Sequence, residues 1–154
     1  MLQKRLANSL EAGLRKTQYG FRANHSTSQP IHILRRLIEI HERQTPHLHM
    51  VFLDWKKAFD CITHDSIEPS LLRMGTPETI VKAIMSLYND PKFLVRDNNN
   101  KSETQQQGRG VRQGCPLSPY LFIITLSVLL HDVEAEFVEV YKYNPWPNVG
   151  LGIR

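Results

Sequence analysis

Apolar residues recur at helical spacing along most of the chain and predict five helices. In residues 3–14, Leu6, Leu10 and Leu14 lie on one helical stripe, and Gly13 favours termination near the end. A periodic stripe of this kind is typical of a helix that packs one face against a core. The other predicted helices cover residues 31–44, 64–75 and 77–90, and a long one starts at Ser118.

The second predicted helix has a clear start and a clear end. Ser26 or Thr27 can cap it, and Pro30 is tolerated in a first helical turn. Thr45-Pro46 is expected to terminate it, because proline cannot continue a helix. Its apolar face consists of Ile31, Leu34, Leu37 and Ile38, and His41 is a further candidate for the same face.

Two other stretches indicate strands. The apolar run at residues 50–53 ends on a carboxylate, Asp54, and predicts a buried strand. Residues 92–96 predict a second strand, followed by a strong turn signal, Asp-Asn-Asn-Asn, and a polar return strand at 102–107. The pattern therefore favours a β-hairpin that leads into a glycine-rich loop. The predicted fold class is α+β, with helices packed on a small antiparallel sheet.

Composition supports one modest globular domain. The chain has 154 residues, of which 41% are hydrophobic and 22% charged, enough to form a real core. Its cysteines, Cys61 and Cys115, lack metal-ligand spacing and predict reduced thiols. The longest apolar run, residues 120–130, is too short to span a bilayer, and no signal-peptide pattern is present. We therefore expect an intracellular protein, in cytoplasm or nucleus, without a membrane partner.

The positive charge is concentrated in the first third of the chain. Net charge is +4, and residues 1–47 carry eight Lys/Arg against three acids. Such an excess suits contact with a phosphate backbone, although an ordinary solvated surface explains it equally well.

Three sequence blocks carry a more specific signal. Residues 54–60 read DWKKAFD, with His64 shortly after, and residues 18–22 read QYGFR, followed by Ser-Thr. Residues 109–122 read RGVRQGCPLSPYLF. In their order along the chain, the blocks resemble the reverse transcriptases of non-long-terminal-repeat, LINE-like retroelements. The resemblance extends from about residue 2 to about residue 130.

The resemblance implies an RNA-directed DNA polymerase with a partial right-hand polymerase fold. Residues 1–154 would form a single partial domain, with fingers-side helices at about 1–47 and a palm portion at about 48–154. The family carries an aromatic-x-Asp-Asp hairpin after the helix that follows the Gln-Gly loop, but this chain has no Asp-Asp pair. We therefore expect a fragment that lacks palm and thumb segments of its parent and is inactive alone.

The resemblance also implies nucleotidyl transfer with two divalent metal ions, Mg²⁺ or Mn²⁺, about 4 Å apart. Asp54 would be one metal ligand and catalytic carboxylate, and the backbone carbonyl of Trp55 a further ligand. From position alone, a strand-end residue that pairs with Lys56 or Lys57 is the favoured interpretation of Asp54, and the resemblance reverses that preference.

On the nucleotide side, the resemblance places Phe59 against the sugar, where a ribose 2′-hydroxyl would collide with its ring. Gln113 and Gly114 would contact the nucleotide, because Gly114 has no Cβ and lets the loop backbone approach a base or sugar closely. Without a nucleotide role, Phe59 would be an ordinary core residue, and Gly114 would only serve the exit of the hairpin into the next helix. Asp60 is interpreted as structural, and His64 is assigned no chemistry.

Four arginines are candidate nucleic-acid contacts: Arg22, Arg35, Arg36 and Arg112. The implied partners are an RNA template, a DNA primer and deoxynucleotides. Two other functions remain open from sequence. One is a non-catalytic remnant that still binds nucleic acid, and the other, less favoured, is an RNA-dependent RNA polymerase palm. Phe59 and the Gln-Gly loop argue against the latter, which usually has an acid near the ribose and a Ser-Gly loop.

Overall fold

The computed structural model describes residues 2–11, 13–44, 48–98 and 100–143. These residues divide into two compact units, which are considered separately below. The first unit comprises Met1–Leu14 and Lys57–Val149, and the second comprises Arg15–Lys56 with Gly150–Arg154.

Helices account for most of the described residues. In chain order they are α1 (Leu2–Leu10), α2 (Ser28–Gln44), α3 (Ala58–Cys61), α4 (His64–Arg73), α5 (Glu78–Met85) and α6 (Ser118–Tyr143). The strands are β1 (Lys92–Phe93), β2 (Arg96–Asp97), β3 (Asn100–Lys101) and β4 (Gln105–Gln106). The predicted mixture of helices and small antiparallel strands is confirmed.

The core of the first unit lies between helices. Helix α4 packs on α5 and α6, and α1 also contacts both of those helices. The predicted stripe of α1 is confirmed, since Leu6 and Leu10 are fully buried and Leu14 lies just beyond the helix in the same core. The rest of the fully buried apolar core comes mainly from Ile67, Leu71, Ile84, Leu121, Ile123 and Ile124.

The hairpin predicted after residue 91 is present. Strand β1 pairs antiparallel with β4 and β2 with β3, so the chain folds back between β2 and β3. Every strand residue is exposed, which agrees with the predicted polar edge. Within the part of the chain that the structure describes, however, the helices do not pack on these two strand pairs as predicted. Two-residue strands with exposed side chains offer no apolar face, and the helices bury their stripes against each other instead.

An ion pair joins α4 to α6 at the surface of the first unit. The Arg73 guanidinium donates two hydrogen bonds to the Asp132 carboxylate, at 2.8 and 2.5 Å. This hydrogen bonding lowers the pKa of Asp132 from its usual value. Both side chains are about half exposed, so water screens the pair and its contribution to stability is small.

The second unit is built around α2. The Ser26 backbone N–H donates to the Gln29 side chain at 3.1 Å, and the helix begins at Ser28, close to the predicted cap. The predicted terminator, Thr45-Pro46, lies outside the described residues. The predicted apolar face is only partly covered within the structure, because Ile31 and Leu37 are 53% and 46% exposed.

The predicted buried strand at residues 50–53 is absent. These residues have no regular secondary structure, and Val51, Phe52 and Leu53 are 84%, 74% and 92% exposed. A strand is stable only when a neighbour accepts and donates its backbone hydrogen bonds. The four strands in the described part of the chain pair with one another, as β1 with β4 and β2 with β3. The prediction of a buried strand at residues 50–53 is therefore wrong both in conformation and in burial.

Helix α6 is long and apolar enough over residues 118–136 to cross a membrane by length and composition. The same helix contributes Leu121, Ile123, Ile124 and Ser127 to the buried interior of the first unit. Core helices of globular proteins commonly meet both criteria.

Candidate nucleotide-binding loop

Two of the sequence blocks, about fifty residues apart, meet through their backbones in the first unit. The Val111 N–H donates to the Phe59 carbonyl at 3.0 Å, and the Gly110 N–H donates to the Ile62 carbonyl at 2.7 Å. Thr63 and Arg109 extend this pairing as an antiparallel bridge. The short helix α3 and the glycine-rich loop are thereby locked in register.

This close pairing depends on Gly110. Its φ of +88° is unfavourable for residues with a Cβ. A Cβ there would lie 3.2 Å from the Asp60 Cα and 3.5 Å from the Phe59 carbonyl oxygen. Both are backbone atoms and cannot rotate away, so glycine is required for the loop to approach α3.

The approach to α3 contains a second unusual backbone conformation. Lys57 has φ 53° and ψ 45°, the left-handed region, and its carbonyl accepts hydrogen bonds from the N–H groups of Asp60 and Cys61. This turn starts the four-residue helix that carries Phe59. The Lys57 side chain is exposed.

Phe59 is half-buried and packs on α6. Its ring is stacked with the ring of Phe122, with centroids 5.2 Å apart and planes at 25°. The residue predicted to face the sugar therefore has a packing role in the structure. Phe59 lies beside the loop because its own carbonyl accepts the bond from Val111.

The tip of the loop is exposed and open. Gly114 has φ +81°, and a Cβ built there would meet no atom within 4 Å. The neighbouring Gln113 is exposed, and its amide nitrogen donates to the Asp60 carboxylate at 3.4 Å. This contact links Asp60 of α3 to the loop tip. Gln113 and Gly114 present an amide and bare backbone to solvent, the features needed to contact a base or sugar.

The far end of the loop is anchored by buried polar groups. The Ser118 hydroxyl donates to the Arg112 carbonyl at 2.5 Å, at the predicted start of α6. Tyr88, only 6% exposed, hydrogen-bonds with the Ser118 side chain and the Arg112 backbone. Burial raises the pKa of the Tyr88 phenol, and the hydrogen bond to Ser118 opposes this more weakly. The loop is thus fixed on both sides of its exposed tip.

Sequence reasoning missed two residues that hold the near end of the loop. His64 and Gln107 both contact the Gly110 carbonyl from their ring or amide nitrogens, each at 3.0 Å. His64 is 46 residues from Gly110, so no local spacing signals the contact. Its position shortly after the DWKKAFD block was the available clue.

The predicted metal ligands lie in the second unit. Asp54 and Trp55 are exposed, in a segment without regular secondary structure. No group of three or more His, Cys, Asp or Glu side chains that could hold a metal ion occurs in the part of the chain that the structure describes. A two-metal site needs several carboxylates, so these residues alone do not form one.

The predicted nucleic-acid contacts differ in their surroundings. The Arg22 guanidinium is half-buried and donates to the carbonyls of Arg15 and Gln18, at 2.8 and 3.1 Å, which indicates a loop-stabilising role. Arg35 and Arg36 are exposed on α2, and Arg36 forms an ion pair with Glu39. Arg112 is exposed at the loop and donates to the Leu87 carbonyl at 3.2 Å.

The blocks that meet at this loop are those on which the resemblance to reverse transcriptases rests. The chain belongs to the reverse transcriptase (RNA-dependent DNA polymerase) family, whose match covers residues 1–144. The family assignment made from sequence is confirmed. No solved structure shows a significant match to the chain.

Similar proteins come from retroelements. The "Retrovirus-related Pol polyprotein from type-1 retrotransposable element R2" of Nasonia vitripennis is 34% identical over 127 residues, which are 81% of this chain and 12% of that protein. Its counterpart of the same description in Popillia japonica is 33% identical over 139 residues, 88% of this chain and 19% of that protein. The "RNA-directed DNA polymerase from mobile element jockey" of Drosophila melanogaster is 28% identical over 134 residues, 83% and 14% respectively. The chain thus spans no more than about a fifth of these relatives.

Proposed function

We propose that this chain is the fingers and palm portion of a retroelement reverse transcriptase with the right-hand polymerase fold. Its longer parent would copy RNA into DNA by template-directed nucleotidyl transfer, with an RNA template, a DNA primer and deoxynucleotides as partners. The family membership and the retroelement relatives support this proposal. They also favour it over an RNA-dependent RNA polymerase palm.

One observation carries the proposal to the level of residues. The backbone bonds from Val111 to Phe59 and from Gly110 to Ile62 hold the residue that carries the aromatic ring against the start of the Gln-Gly loop. Gln113 and Gly114 are exposed at the tip of that loop, which is anchored on both sides. A preorganised amide and an open backbone, on a loop bonded to the backbone of Phe59, suit recognition of a nucleotide sugar and base.

The family generally uses divalent metals, and Asp54 with the Trp55 carbonyl remains our candidate for part of such a site. Because the described residues contain no further grouped carboxylates, we assign no reaction step to a metal held by this chain alone. Its own contribution would be to bind and orient the nucleotide through Phe59, Gln113 and Gly114.

A chimera tests the proposal directly. Residues of this chain would replace the matching 134 residues of the jockey polymerase, and extension of a DNA primer on an RNA template would be measured with Mg²⁺ or Mn²⁺. We expect extension by the chimera and none by the isolated chain, which lacks grouped carboxylates among its described residues. A folded chimera without extension, beside an active jockey protein, would contradict the proposal, as would extension by the purified isolated chain.

The alternative of a non-catalytic nucleic-acid-binding protein is supported by the exposed arginines of α2. Residues 1–47 carry an excess of positive charge, so we expect weak, sequence-independent binding of RNA or DNA that falls steeply with salt. Changing Arg35 and Arg36 together to Gln should reduce the slope of log affinity against log salt by roughly 1–2. The helix should remain folded, since both side chains are exposed.

The matched control changes Arg96 and Lys101 to Gln, which removes the same charge from the exposed hairpin. Its salt slope should stay close to that of the unmodified chain. Fluorescence anisotropy with a labelled single-stranded oligonucleotide at several salt concentrations measures both. Equal slopes for the two double variants would show that charge acts non-specifically and that α2 is not the contact surface.

A further inference from the structure

Two side chains from different elements bind the same backbone carbonyl at the base of the loop. His64, the first residue of α4, contacts the Gly110 oxygen through Nε2 at 3.0 Å. Gln107, directly after β4, donates its amide to the same oxygen at 3.0 Å. The Gly110 N–H is also bound, by the Ile62 carbonyl at 2.7 Å. With the Val111 N–H bound by the Phe59 carbonyl at 3.0 Å, the two peptide groups flanking Gly110 are held by four separate hydrogen bonds.

The contact defines the state of the His64 ring. A carbonyl oxygen can only accept, so Nε2 must carry the proton and donate. The ring is also tilted at 50° against the ring of Tyr88, with centroids 5.1 Å apart. Tyr88 is the residue that hydrogen-bonds with Ser118 and Arg112 at the far end of the loop. His64 thus hydrogen-bonds with the Gly110 carbonyl at the near end of the loop and packs on Tyr88 at the far end.

His64 is held by a well-packed helix. Helix α4 buries Ile67 and Leu71 almost completely and packs on both α5 and α6. Gln107 is fixed by its backbone N–H, which donates to the Pro91 carbonyl at 2.8 Å. The Gly110 carbonyl is therefore clamped between the helical core and the hairpin, three residues before the exposed Gln113.

We propose that His64 is a positioning residue for the Gln113-Gly114 tip, with Gln107 as the second arm of the clamp. It acts through the Gly110 backbone and does not touch the nucleotide. This inference rests on the proposed function for its catalytic consequence, but the clamp itself can be tested on the isolated chain. When the imidazole donor is removed, the loop loses one of its two restraints on that carbonyl and its tip becomes more mobile.

Trypsin provides a local measure of loop mobility, because Arg109 and Arg112 lie on either side of the clamped segment. In His64→Phe the ring is retained against Tyr88 but the donor is lost. We expect cleavage after Arg112 to accelerate roughly 3- to 10-fold, the effect of losing one hydrogen bond on local opening. Gln107→Met should act in the same direction. His64→Gln restores an N–H donor and should recover part of the protection.

The controls separate positioning from general stability. His32→Phe changes an exposed histidine of α2, and Gln106→Met changes the exposed neighbour of Gln107, so neither should alter cleavage after Arg112. Urea unfolding of every variant gives the global contribution. Faster cleavage with an unchanged unfolding midpoint supports the clamp. Acceleration only in proportion to lost global stability, or no acceleration, overturns it.

The catalytic consequence is measured in the chimera with the jockey polymerase. If the tip contacts the nucleotide, His64→Phe should raise KM for deoxynucleotides by about the same factor as the cleavage rate, with a smaller change in kcat. An accelerated cleavage combined with an unchanged KM would contradict nucleotide binding by the loop while leaving the clamp intact. Unchanged cleavage would contradict the clamp while leaving the proposed function intact.

Discussion

Replacing Gly110 with alanine is expected to lower the free energy of unfolding by about 2–4 kcal/mol. Two costs combine. The residue has φ +88°, and its new Cβ would lie 3.2 Å from the Asp60 Cα, a backbone atom that cannot move without shifting α3. Relief of this clash would lengthen the 2.7 Å bond from Gly110 to Ile62 and the 3.0 Å bond from Val111 to Phe59. Urea unfolding followed by circular dichroism measures the loss.

Gly114→Ala is the matched control, because that residue has a similar φ of +81° but no atom within 4 Å of the added Cβ. It carries the conformational cost alone, about 1–2 kcal/mol. In the chimera, however, Gly114→Ala should impair nucleotide use more than its stability loss predicts, since it adds a methyl group at the exposed tip. Equal destabilisation by the two substitutions would show that a Cβ at position 110 does not clash with the backbone of α3.

The helices were predictable because their signal is local. Leu6, Leu10 and Leu14 repeat at a spacing that only a helix or its extension can bury on one side, and all three lie in the core. The hairpin was equally local, since a cluster of Asp and Asn between two short runs demands a turn. The prediction of a buried strand at residues 50–53 failed because strand formation is not decided locally. The composition of this run indicates burial, but a strand is defined by partners elsewhere in the chain.

The resemblance predicted which residues belong to the candidate site. It did not predict which contacts hold them in place. Gln113 and Gly114 were expected together because they are adjacent in sequence. Their support was not expected, because His64 and Tyr88 reach the loop across tens of residues, and neither has a spacing that signals it. The left-handed backbone at Lys57 was equally invisible, since lysine carries no preference for that conformation.

Phe59 is the residue at which packing and selectivity make opposite predictions. Its ring is stacked with that of Phe122, so Phe59→Ala must cost some stability. A fully buried phenylalanine would cost roughly 3–5 kcal/mol, and this half-buried one should cost less. If packing were its only role, incorporation of ribonucleotides and deoxynucleotides would fall together.

If instead the ring excludes a ribose 2′-hydroxyl, Phe59→Ala opens that space. In the chimera with the jockey polymerase, kcat/KM for ribonucleotides relative to deoxynucleotides should then rise on the order of 10- to 100-fold, a few kcal/mol of differential transition-state binding. Phe122→Ala is the matched control, because it removes the same ring stacking from the α6 side and should leave the ratio unchanged. A ratio that moves equally in both variants would assign the effect to lost packing. A ratio unchanged in a folded Phe59→Ala protein would make Phe59 a core residue alone.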